Sequence, residues 1–264
     1  KAPLDEYDVP ETLIFQAAEK TDTAIFVIGR NSGGEECDRH LPEDYYLTRS
    51  EESLLKDICT HFANVVIVLN VNGLIDLSWV KKYASIKSLL FIGIPGEEGA
   101  SALAGILTGE INPSGKLAVT IAEHYEDYPS ADHFSWDKEH LENILDYESY
   151  GLSSEENGST GFTKSPVTVY WEDIYTGYRY FDTFGKQVLY PFGYGLSYTA
   201  FAISDALVKK QNGGILVTAD VKNIGEMSGK EVIQIYLSKV YPAEGVERPY
   251  QELKGFEKTS DLAP

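Results

Sequence analysis

The sequence predicts an α/β fold, a mainly parallel sheet flanked by helices (an α/β sandwich), followed by a partial antiparallel β-sandwich. Three observations predict it. Apolar, β-branched runs alternate with helix-spaced amphipathic segments from residue 10 to 122. The pattern then dissolves into Ser, Glu, Asp, Asn, Gly and Tyr between about 123 and 170, and from residue 201 the apolar period becomes two.

The elements follow in order. "PETLIFQAAEK" opens on Pro10 and keeps helical spacing, and "AIFVIG" is a short strand closing at Gly29. "SEESLLKDICTHF" is a helix with Ser50 as its cap and Glu51 and Glu52 in the first turn, where the helix dipole favours acids. The cycle repeats with strand "NVVIVLNV" (64–71), helix "LSWVKKYA", strand "SLLFIGI" (88–94) and helix "EEGASALAGILTG", which stops at Gly109. "NPSGK" is a turn, and "LAVTIA" (117–122) reads as the fourth strand. Continuous apolar strands between amphipathic helices imply a parallel sheet covered on both faces.

The segment from about 123 to 170 reads as an insertion with little core, holding the loop "SSEENGSTG" and one short helix in "WDKEHLENILDY". "VYWEDIYTGYRYFDTFGKQVLYPFGYGLSYTAF" suits an irregular segment pinned by packed rings. "FAISDALVKK", "GILVTADVKN", "GKEVIQIYLSKV" and "PYQELKGFEK" then read as the first four strands of an antiparallel sandwich, short of the seven that close one.

With 264 residues, 43% of them hydrophobic, the chain can bury one full core and part of a second, which favours two domains. Forty-one acidic against 22 basic side chains leave a net charge of −19, which repels phosphate backbones and anionic membrane surfaces and so argues against nucleic acid and membrane partners. Cys37 and Cys59 are too few for a disulfide framework and too far apart for a Cys-x-x-Cys site, so both read as free thiols. No apolar run reaches the roughly 18 residues of a membrane span, and no signal peptide is evident. The first residue is Lys1 rather than Met, which leaves export open.

The stretch "GRNSGGEECDRH" leaves the carboxyl end of a parallel strand, where open α/β sheets place their ligands. Gly33 and Gly34 let the backbone bend, and Glu35 and Glu36, adjacent in an extended loop, point in roughly opposite directions, so only one can face a given substrate. Asp38 paired with Arg39 would keep that arginine from lowering the pKa of a glutamate acting as a general acid. The plainer alternative is a surface loop of hydrated charges.

Other motifs fail on chemistry. "GIPGEEG" carries Glu97 and Glu98 where a phosphate would sit, and in "GEINPSGK" Leu117 replaces the magnesium-binding hydroxyl of a phosphate loop. His40, His61, His124, His133 and His140 show no metal-ligand spacing, and there is no Gly-x-Ser-x-Gly elbow.

Several segments together resemble glycoside hydrolase family 3, the β-glucosidase family: "GGEECDR", "INPSGKLAVTIAEHYEDYPS", "WEDIYTGYRYFDTFG", "YPFGYGLSYTAF", "VTADVKNIGEMSGKEVIQIYLSKV" and "RPYQELKGFEK". The order of "INPSGKL", "GYRYFDTF" and "PFGYGLSYT" is highly specific. The resemblance implies that residues 1–198 are the family's α/β sandwich domain and that 199–264 begin its fibronectin type III-like domain. It implies a retaining exo-β-glycosidase, most often a β-glucosidase, in which an aspartate on a separate (β/α)8 barrel of the same protein attacks the anomeric carbon.

A glutamate of the sandwich domain then acts as acid and base. The family's Gly-Glu-Gly-x-Asp-Arg type loop matches "GEECDR", which puts Glu35 on that position, with Glu36 in place of the second glycine and as the alternative, and Asp38 and Arg39 in support. The implied substrates are β-linked glucosides or cello-oligosaccharides, with no metal or organic cofactor. The implied setting is cytoplasmic, with secretion as the alternative. β-Xylosidase or arabinosidase activity is the enzymatic rival, and a non-catalytic carbohydrate-binding or scaffolding module is the rival of another class.

Overall fold

A computed structural model describes residues 8–30, 44–131, 170–238 and 245–264. Its first half contains α1 (Glu11–Ala18), β1 (Thr23–Gly29), α2 (Arg49–His61), β2 (Asn64–Asn70), β3 (Ile86–Phe91) and α3 (Gly99–Thr108). The three strands form one parallel sheet in the order β1-β2-β3, with Thr23 opposite Asn64 and Val65 opposite Ile86. β2 lies in the middle, and its Val65, Ile67, Val68 and Leu69 are fully buried, as a run apolar on both faces requires. Leu55 of α2, Phe26 and Ile28 of β1 and the Trp79 ring close the same core.

Burial on β1 alternates. Ile25 and Val27 remain about half exposed, so the expectation of a sheet covered on both faces holds at β2 and not along β1 among the described residues.

Local chemistry moves several boundaries. The cap of α2 is Thr48, not Ser50: the Thr48 hydroxyl accepts from the Glu51 amide at 3.2 Å, and the Glu51 carboxylate accepts from the Thr48 amide at 2.8 Å. "LSWVKKYA" forms a short 3-10 turn, Ser78–Lys82, started by Asp76, whose carboxylate accepts from the Ser78 amide and hydroxyl. The third strand begins at Ile86 and ends at Phe91, because positive φ angles at Gly93 and Gly96 turn the chain away. α3 stops at Gly109 in a left-handed conformation, as its sequence predicts.

"LAVTIA" contributes no fourth parallel strand. Only β4 (Ile121–Ala122) is strand, and it pairs antiparallel with β5 (Val188–Tyr190). Between them in sequence, the described start of the insertion packs inward through Tyr125 and Tyr128, while "SSEENGSTG" and "WDKEHLENILDY" lie outside the described residues. The ring-rich segment forms a one-to-two-turn helix, α4 (Tyr178–Phe184), with the rings of Tyr178 and Phe192 4.8 Å apart and those of Tyr190 and Tyr194 5.2 Å apart.

The last four strands are β6 (Phe201–Gln211), β7 (Gly214–Asn223), β8 (Val232–Ser238) and β9 (Gln251–Lys258). β6 and β7 form a hairpin whose two turn residues, Asn212 and Gly213, both have positive φ, the geometry that matches strand twist. β8 pairs antiparallel with β9. Ile203, Val208, Ile215 and Phe256 are more than half exposed.

Candidate functional site

β1 hands the chain to the loop at Arg30. The Arg30 amide donates to the Asn70 carbonyl at 3.1 Å, which fixes the exit from β1 against the end of β2. Its guanidinium is nearly withdrawn from water and forms a two-point pair with Glu51, 2.5 Å to Oε1 and 2.7 Å to Oε2, the glutamate side chain being 1% exposed. The same guanidinium donates to the carbonyls of Gly29 (2.8 Å), Asp44 (3.2 Å) and Tyr46 (3.3 Å). One side chain therefore holds both ends of the segment 31–43, at the carboxyl edge of the sheet.

Glu35, Glu36, Asp38 and Arg39 lie between those ends and outside the described residues, as do Gly33, Gly34, Cys37 and His40. The sequence reading did not single out Arg30 and saw in Glu51 only a dipole-favoured first-turn acid. The signal that could have found the pair is Thr48-x-x-Glu51, a capping box whose acid has one carboxylate oxygen left for a second partner.

An aromatic bank lies beside the returning chain. The Tyr45 ring sits 5.0 Å from Tyr46 and 5.2 Å from Tyr125, and Tyr128 continues the series to Phe181 at 5.8 Å. Burial, and next the neighbouring Tyr128, push the Tyr45 hydroxyl well above the ordinary tyrosine range, and burial raises Tyr128 as well. Tyr45 is also tied by its carbonyl to the Asp76 amide at 2.8 Å. These rings are packed and neutral, so they build a rigid wall rather than supply an ionisable group.

The motifs that carry the family resemblance form a joint between the two halves of the chain. In "INPSGKL", Asn112 Oδ1 accepts from the Ser197 hydroxyl and the Tyr198 amide, both at 2.8 Å, and Asn112 Nδ2 donates to the Ser228 carbonyl at 2.9 Å. Lys116 Nζ reaches the Gly195 carbonyl at 2.7 Å and the Glu231 carboxylate at 2.8 Å. In "GYRYFDTF", the Tyr178 hydroxyl accepts from the Leu253 amide at 2.7 Å, and Asp182 accepts from Gln251 at 2.7 Å. These segments are joinery.

Cys59 is half-buried with its thiol pushed up by burial, which suits packing and not nucleophilic attack. Among the described residues no group of His, Cys, Asp and Glu is arranged to hold a metal, and no helix is long and apolar enough to cross a membrane.

The glycosyl hydrolase family 3 C-terminal domain matches residues 11–198. The chain belongs to this family. The family 3 chain is 39% identical to a beta-glucosidase of Ruminococcus albus over 98% of its own length and 24% of that protein. It is 34% identical to an exo-alpha-(1->6)-L-arabinopyranosidase of Bifidobacterium longum over 78% of its length and 23% of that protein. Among solved structures it resembles beta-glucosidase 3B of Thermotoga neapolitana in complex with glucose, with a TM-score of 0.82 and 36% identity, covering 100% of this chain and 34% of that one. The family 3 chain thus spans about a quarter to a third of the proteins it matches.

Proposed function

We propose that this chain is the acid/base-bearing part of a retaining exo-β-glycosidase, a β-glucosidase, with Glu35 as the general acid and base. In the first step an aspartate, on a (β/α)8 barrel elsewhere in the same polypeptide, attacks the anomeric carbon. The bond to the glycosidic oxygen breaks, and Glu35 gives that oxygen its proton. In the second step the Glu35 carboxylate takes a proton from water as the water oxygen attacks the anomeric carbon and the aspartyl ester breaks, which returns both carboxyl groups to their starting states.

The two carboxyl groups of such an enzyme stand roughly 5 Å apart, so neither half works alone, and the isolated chain is expected to be inert. The substrates are β-linked glucosides or cello-oligosaccharides. The observation that carries the reading is that segment 31–43 begins and ends in one clamp at the carboxyl edge of a parallel sheet, where a neighbouring body can be served. The similarity to beta-glucosidases supports the chemistry.

In the complete enzyme, Glu35→Ala should lower turnover of poor-leaving-group glucosides by roughly 10²–10⁴, and on dinitrophenyl glucoside, whose departure needs no proton so that the second step limits, azide should restore turnover as the glycosyl azide forms. The same pattern in Glu36→Ala instead would overturn the assignment.

Two rivals have their own readouts. The arabinopyranosidase relative favours a pentose-acting variant of the same chemistry, which would show as a higher kcat/KM on nitrophenyl arabinopyranoside or xyloside than on glucoside. A non-catalytic sugar-binding module would bind glucose or cellobiose by calorimetry as the isolated chain, and the complete protein would not turn them over.

A further inference from the structure

We infer that Arg30 and Glu51 are positioning residues for the acid/base loop, holding its two ends at a fixed separation; the inference rests on Glu35 being that acid/base. Guanidinium carries five N–H donors in a rigid fork, and here every one is used: Nε on Asp44, one terminal nitrogen on Gly29 and Glu51, the other on Tyr46 and Glu51. Two of the three carbonyls belong to the chain returning from the loop, and the third closes the strand that feeds it. Glu51 in turn is held by the Thr48 amide at the start of α2. The chain leaving β1, the chain coming back and the helix that follows therefore meet on one buried ion pair.

Stability alone does not account for such a pair, because apolar residues of similar volume generally serve a core as well or better. An apolar pair cannot bind carbonyls from two chain segments at set distances. A general acid must sit within hydrogen-bond reach of the oxygen it protonates, and a displacement of about 1 Å can cost about 100-fold in rate.

The test compares two aryl β-glucosides in the complete enzyme. Dinitrophenolate departs without a proton and phenolate needs one, and kcat/KM reports only the first step for both. Arg30→Lys retains the charge and loses the fork, whereas Glu51→Gln retains a side chain competent for the capping box and loses the charge. For each, kcat/KM on phenyl glucoside should fall roughly 10- to 100-fold, and on dinitrophenyl glucoside by no more than about threefold. The ratio of the two is independent of how much enzyme is folded. Should either variant fail to accumulate, the double replacement Arg30→Met with Glu51→Leu supplies an apolar pair and the same ratio is read.

Equal losses on both substrates, or no loss on either, overturn the inference. Glu35→Ala is measured alongside. Selective loss there with none in the clamp variants sinks the positioning role alone, and absence of selective loss in Glu35→Ala sinks the acid/base assignment itself.

Discussion

The Lys116 ammonium lies 2.8 Å from the Glu231 carboxylate, with both side chains more than four-fifths withdrawn from water. It links the turn before Leu117 to the start of β8, across the whole insertion. Lys116→Met retains the aliphatic stem and leaves a largely buried carboxylate whose Oε1 keeps, among the described residues, the Val232 amide. Unfolding free energy should drop by roughly 2–3 kcal/mol, read by urea titration of the intact protein; a loss under about 0.5 kcal/mol would show the pair to be dispensable.

Gly195 is required for a steric reason. A methyl group there would run into the Gly115 carbonyl oxygen, which is backbone, and would come within 3.0 Å of the Lys116 side chain. Gly195→Ala should destabilise by about 1–3 kcal/mol. Gly115→Ala, on the other side of the same contact, meets nothing within 4 Å and should be nearly neutral. Matched melting curves of the two variants decide it.

Thr48→Ala removes the hydroxyl that caps α2 and should cost about 1 kcal/mol, while Ser50→Ala should change stability by much less. The reverse ranking in thermal unfolding would restore Ser50 as the cap.

The buried tyrosines set an alkaline limit. Tyr45, Tyr128 and Tyr190 all have hydroxyls raised by burial, so the folded protein holds these protons more tightly than the unfolded chain, whose tyrosines titrate near 10. Their contribution is intact below about pH 10 and is lost as pH climbs through the folded values. Melting temperature should hold from pH 8 to about 10 and fall beyond it, and Tyr45→Phe should flatten that fall. An unchanged slope in the variant would show that Tyr45 does not carry it.

The parallel sheet was legible because β2 is apolar on both faces, and the helix stop at Gly109 because only a left-handed residue ends a helix that way. The β6–β7 hairpin was legible in its period and in Asn212-Gly213. What stayed hidden depends on partners far away in sequence. "LAVTIA" has strand composition, yet only the two residues that meet β5 are strand, and "LSWVKKYA" has helical spacing over too few residues to propagate a helix. At the candidate site the loop was legible from its glycines and acids, and its clamp was not, since Arg30 and Glu51 meet only when α2 packs beside β1.

The Asn112 contacts also bear on protein engineering. Residues 197–198 look like a natural splice point between the two halves, but Asn112 grips both of them while reaching Ser228 beyond, and Thr199 bonds to the buried Asn223. Chimaeras joined there should mature properly only when the 112–116 turn travels with the incoming C-terminal piece, so the transplantable unit is discontinuous in sequence.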